Sequence, residues 1–174
     1  MSFIKKLEKL KPGPIVPIHY SHADYVAEAI ALLLLLFSFL TLYFNWFSLS
    51  ETIPIKFNFA GEPVRMGSKR ELLNFQFAIA LIYLLLTVVS RFPRWYRYPW
   101  KITAENAARQ YSIHRSFLLW LKVFCMLGMS FTTWGTIRVA LGRADGMGTF
   151  YMPMSIIILF TMIAVLFVKA IRAR

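Results

Sequence analysis

The chain alternates long apolar runs with short polar connections, and four runs stand out, at residues 23–47, 72–90, 117–139 and 150–168. The first is the plainest: AIALLLLLFSFLTLYF, residues 29–44, is broken only by Ser38 and Thr41. Each run supplies about the 20 residues that a helix needs to cross a hydrocarbon core roughly 30 Å thick. In a bilayer every backbone N–H and C=O must bond within the protein, so all four are expected to be helices. Helix starts carry capping signals. Ser21 with Asp24, and Ser68 with Glu71, have the spacing at which a hydroxyl and a carboxylate satisfy two orphan amides. Thr103, followed by Glu105, suits the start of the third helix. Pro153 falls in the first turn of the fourth, where a missing N–H costs little.

Two connections have patterns of their own. In the first, Ile53, Ile55, Phe57 and Phe59 alternate with Pro54, Lys56, Asn58 and Ala60, the period of a strand with one apolar face. Gly61, Glu62 and Pro63 then turn the chain toward the second run. Residues 50–69 are therefore expected to form a short β-like lid, its Ile/Phe face on the helix ends or against a partner, since an isolated strand is unstable. The second pattern precedes the third run. Ala104, Ala107, Ala108 and Tyr111 recur at helical spacing while Glu105, Arg109, Ser112 and Arg115 take other faces. A helix from Thr103 to Ala140 would be about 55 Å long, so residues 103–116 are expected to extend beyond the membrane, lying on lipid or packing against a partner.

Composition agrees. Hydrophobic residues make up 58% of the 174, mean hydropathy is +0.56, and charged residues are 16%, against roughly 25% in a typical soluble domain. With so little polar surface the fold class is all-α integral membrane, one domain of four transmembrane helices. The net charge of +12 would point to nucleic acid in a soluble protein. Here the basic residues flank apolar runs, so anionic lipid is the expected partner and nucleic acid is not. Thirteen of the twenty Lys and Arg lie in the N-terminal segment, the 91–115 connection and the C-terminal tail, which places both termini in the cytoplasm and residues 50–69 outside. The N-terminal segment is not expected to be a cleaved leader, because its apolar run starts late and is too long. No Asn-x-Ser/Thr sequon occurs, which fits a bacterial plasma membrane, and the single Cys125 excludes an internal disulfide.

Few residues carry candidate chemistry. Glu28 and Lys122 sit one to two turns inside their apolar runs, and charges at that depth usually face the bundle interior or each other, so an ion pair between the first and third helices is expected. His19, His22 and Asp24 lie close in sequence but fall short of the three or four suitably placed ligands of a metal site, and capping by Ser21 and Asp24 accounts for the stretch. In the 91–101 connection Arg91, Arg94, Trp95, Arg97, Trp100 and Lys101 interleave basic and aromatic groups. At the end of a span this reads as a belt anchored on lipid headgroups. Pro93 and Pro99 bar a continuous helix there. Hydroxyl and amide residues in the runs are scattered, no run is broken by Gly and Pro in the manner of a substrate site, and no hydrolase or nucleotide-binding motif occurs. Neither an enzyme, a cofactor nor a metal is expected.

The stretch IPIKFNFAGEPVRMGSK, followed after one apolar run by YPWKITAENAARQY, resembles a bacterial family of small membrane proteins of unknown function. The same kind of domain occurs in immunity proteins against the sporulation-delaying toxin. Pro54, Phe57, Asn58, Gly61, Glu62, Pro63, Ser68 and Lys69 carry the likeness, with residues 99–106. Three positions depart from it: Lys56 replaces a common His, Val64 a frequent Asp, and Met66 an aromatic. The resemblance implies a non-enzymatic plasma-membrane protein with an immunity or envelope-sensing role toward a peptide toxin. The alternative is an accessory subunit of a larger membrane complex.

Overall fold

Ser21 starts the first helix in the way its spacing predicts. Its hydroxyl accepts from the Asp24 amide at 3.2 Å and the Asp24 carboxylate accepts from the Ser21 amide at 3.0 Å. From that cap the computed structural model, which describes residues 13–18, 20–99 and 101–173, runs α1 (His22–Asn45), β1 (Thr52–Phe57), β2 (Pro63–Ser68), α2 (Arg70–Ser90), α3 (Ala104–Ala140) and α4 (Tyr151–Arg172). All four helices are long and apolar enough to cross a membrane, the makeup of a multi-pass membrane protein. Lys5, Lys6, Lys9 and Lys11 of the N-terminal segment, with His19, Trp100 and Arg174, lie outside the described residues.

Helix α3 is the hub, packing on α1, α2 and α4. Along its contact with α1, bonded side chains keep a nearly constant sequence offset, 91 or 92 at one end and 95 or 96 further along. A constant offset means two helices running parallel and side by side. Two apolar clusters fill the seam. Ala31, Ile79 and Met126 form one at mid-height, and Leu42, Leu49, Ile53, Leu72 and Ile137 form the other beneath the hairpin. Gly128 and Gly135 make room for side chains from after α3, not for a neighbouring backbone. Tyr151 donates its hydroxyl to the Gly128 carbonyl at 2.8 Å, and the Met147 sulfur lies over Gly135.

The third helix is one unbroken run of 37 residues, capped by Thr103 in a reciprocal pair with Asn106 instead of Glu105. It stops in a Schellman turn, in which Arg143 bonds the Arg138 carbonyl and Gly142, at φ +67°, bonds that of Val139. Of the amphipathic stripe, Ala107 and Tyr111 are buried but Ala104 and Ala108 are exposed, and Gln110 joins the buried face by donating to the Ala170 carbonyl at 2.9 Å. The stripe thus packs on the chain's own α4 and 91–99 loop.

Two expectations about the lid need correcting. The lid is a two-stranded antiparallel hairpin, and the second strand, with no period-2 pattern, was not foreseen. Irregular register between Pro54 and Phe57 breaks the apolar alternation. Ile53 and Pro54 are both buried, while Phe59 lies in the turn at 70% exposure. Ser68 does not form a capping box. Pairing with Thr52 keeps it in β2, α2 follows Lys69, and Glu71 turns to Arg65 at 3.4 Å.

The hairpin is latched to the α3–α4 loop at Gly61. Its carbonyl accepts from the Met147 amide at 2.7 Å, its φ is +82°, and a Cβ there would stand 2.8 Å from the Gly148 nitrogen. Gly61→Ala is therefore expected to lower stability by about 2–3 kcal/mol, combining left-handed strain with a backbone clash. Gly142→Ala, with open space around the added Cβ, should cost only about 1 kcal/mol. Thermal unfolding of the two variants in mild detergent checks the order.

Candidate functional site

Polar side chains converge on the α1–α3 seam at three levels, spread from Asp24 to Ser38 of α1, about 21 Å of helix. At the end where α1 begins, Asp24 accepts from Arg115 at 3.2 Å and from Ser116, and the Arg115 guanidinium stacks 4.0 Å from the Tyr20 ring. One turn inward, Lys122 donates to Glu28 and, at 2.9 Å, to Thr87 of α2, with its ammonium 4.6 Å from the Tyr83 ring. Tyr83 donates to the other Glu28 oxygen at 3.3 Å. Lys122 is wholly buried, which excludes snorkelling to headgroups, whereas Glu28 keeps 37% exposure. Toward the hairpin, Ser38, Gln76 and Thr133 bond to one another at 3.0 Å, joining three helices.

Of the other hydroxyls in the spans, Thr41, Thr132 and Thr161 bond carbonyls one turn back in their own helices, whereas Ser130 crosses to the Leu34 carbonyl of α1. Sequence reasoning foresaw the Glu28–Lys122 contact. It missed Arg115 as a partner, because that residue lay in what read as a solvated face, and it read Asp24 only as a cap.

At the far end, the residues of the lid sort into two sets. Asn58 and Glu62 clasp the turn through Asn58 Nδ2 donating to Glu62 at 2.8 Å and the Glu62 amide donating back at 2.9 Å. Gly61 supplies the left-handed turn, and Pro63 opposes Phe57 in the register. Pro54 is buried. Lys69 closes the base, reaching Glu51 at 3.0 Å and the Leu49 carbonyl at 3.3 Å over the Trp46 ring. Ser68 Oγ accepts from the Arg70 amide at 3.3 Å. The second set faces out: Lys56, Phe59, Val64, Arg65 and Met66 are exposed. Lys56 and Arg65 stand opposite each other across the strands, a like-charge pairing that Glu71 offsets on the Arg65 side at 3.4 Å.

The 91–101 loop is more ordered than a lipid belt requires. Pro93–Trp95 form a single helical turn, Tyr96 donates to the Val89 carbonyl at 2.6 Å, and Tyr98 donates to that of Pro93 at 2.9 Å. Tyr98 also packs on Tyr111 and His114. Burial pushes both the Tyr96 and Tyr98 phenols well above their ordinary range, so they stay neutral donors. Arg91, Trp95, Arg97 and Lys101 are exposed around this knot, and Arg94 lies half-buried against Trp95.

Residues 33–82 match a domain of unknown function, DUF1648. The matched segment holds the whole hairpin with the flanking parts of α1 and α2 and stops short of residues 99–106. No curated protein and no solved structure matches the chain.

Proposed function

We propose that the chain is a non-enzymatic protein of the bacterial plasma membrane that recognises a peptide, of the toxin or envelope-stress kind, on its outward hairpin. In this reading the basic ends of the helices face the cytoplasm. The carrying observation is the division within the hairpin. The residues of the family likeness are spent on shape: Asn58, Gly61 and Glu62 on the turn, Lys69 on the base. The three departures, Lys56, Val64 and Met66, are all exposed. A fixed frame with a changed face is how one scaffold is turned to different ligands. Strand β2 is exposed along its length and pairs in the sheet only with β1, so its outer edge suits an added peptide strand, with Val64 and Met66 giving selectivity.

The test is a double change, Phe59→Ser with Met66→Ser. Both side chains are more than half exposed, so protein abundance should stay within about a factor of two while protection against the cognate peptide, or its binding, falls by at least about tenfold. Loss of abundance with unchanged activity per molecule would assign these residues to folding and defeat the reading. A second reading, an accessory subunit, draws on α4, where Ala170 alone is buried and apolar residues such as Ile157, Phe160 and Phe167 are exposed. Co-purification with a fixed set of membrane subunits after mild extraction would favour it.

A further inference from the structure

Helix α4 is fastened to α3 at its two ends. Tyr151 bonds Gly128 and Thr132 at one, and Ala170 accepts from Gln110 at the other. Between these points the helices part, and two hollows open toward the end where α1 begins and α4 stops. One, about 490 Å³, is walled by Phe117 and Trp120 of α3 and by Met162, Val165 and Leu166 of α4. The other, about 540 Å³, lies at the mouth and is ringed by Arg109, Lys169 and Arg172 with the Ser112 hydroxyl. Ser112, Ile113 and Lys169 line both, so the two adjoin.

We propose that this cleft binds one anionic glycerophospholipid, its phosphate held by Arg109, Lys169 and Arg172 and one acyl chain laid along the α3–α4 groove. The charge pattern selects the sign. None of the described residues lining either hollow is acidic, and the nearest carboxylate of α1, Asp24, is engaged by Arg115 and Ser116. The shape selects the class. A free phosphate fills only the mouth, and a neutral lipid fills only the groove and leaves three cations clustered without a counter-charge. A single molecule satisfying both needs an anionic head and a long apolar tail, and basic pockets between membrane helices bind such heads. The site is separate from the Arg91–Lys101 loop and does not depend on what the hairpin recognises.

Native mass spectrometry and thermal unfolding of the full chain in mild detergent test this with phosphatidylglycerol, phosphatidylcholine of the same acyl chains, and inorganic phosphate. The wild type should retain one phosphatidylglycerol with at least about a tenfold preference over phosphatidylcholine, and inorganic phosphate should give no comparable stabilisation. The combined change Arg109→Gln, Lys169→Gln, Arg172→Gln should abolish the preference, and Arg70→Gln with Arg143→Gln, at the hairpin end of the bundle, should leave it intact. Val165→Trp, which fills the groove but keeps the cations, should weaken phosphatidylglycerol retention and serves if the triple variant does not accumulate. Equal retention of the two lipids, stabilisation by phosphate alone, or a preference that survives both the triple change and Val165→Trp would overturn the proposal.

Discussion

Glu28→Leu is expected to destabilise the bundle by about 3–5 kcal/mol, the usual cost of stranding one member of a buried ion pair. Lys122 is wholly enclosed, and without Glu28 its ammonium keeps only the Thr87 hydroxyl and the face of Tyr83. Lys122→Met should cost less, about 2–3 kcal/mol, because Glu28 keeps the Tyr83 hydroxyl and 37% exposure. The double variant removes both charges from a site already walled by helices and should return to within about 1 kcal/mol of wild type. The three variants, unfolded side by side in the same detergent, form a cycle whose coupling is large and favourable. A double variant as unstable as the sum of its parts would show that the two groups act independently.

The same pair shows what the sequence makes legible. A charge inside an apolar run has few acceptable destinations, so the depths of Glu28 and Lys122 in helices running the same way were enough to bring them together. Periodicity likewise marked the helices and the first strand. What failed to show was anything settled by tertiary partners. Val64 to Ser68 carry no alternation, so β2 exists because β1 offers it a ladder and the Asn58–Glu62 clasp sets the turn. The capping box at Ser68 was a correct local signal overruled by that pairing. Arg115 looked solvated because its neighbours Arg109 and Ser112 are polar, yet Asp24, far away in sequence, buries it. The basic mouth between α3 and α4 joins Arg109 of α3 with Lys169 and Arg172 of α4, 60 or more positions further along the chain, and no one-dimensional pattern marks such a cleft. The exposed residues of the hairpin were hidden for the opposite reason. The motif drew attention to the residues that hold the shape, whereas Lys56, Val64 and Met66, which do not fit it, are exposed.

Asp24 does two jobs that substitution can separate, and this gives the second large effect. Its carboxylate closes the capping box at the start of α1 and also accepts from Arg115 and Ser116 of α3, with both ionic side chains at 3% exposure or less. Asp24→Asn keeps an oxygen for the Ser21 amide but removes the negative charge facing Arg115, and is expected to cost about 3 kcal/mol. Asp24→Ala also loses the cap and should cost about 1 kcal/mol more. Arg115→Met should be milder than either, since the Ser21 amide and the Ser116 hydroxyl still bond the carboxylate. Combining Arg115→Met with Asp24→Asn should recover most of the loss, by the logic that rescues Glu28 and Lys122. Two independent ion pairs on one seam should also add, because Asp24 and Glu28 have different partners. Unfolding midpoints of Asp24→Asn, Glu28→Leu and their combination test that directly. A combined loss well below the sum would mean that the first break already frees α1 from α3, so that the seam opens as one cooperative unit.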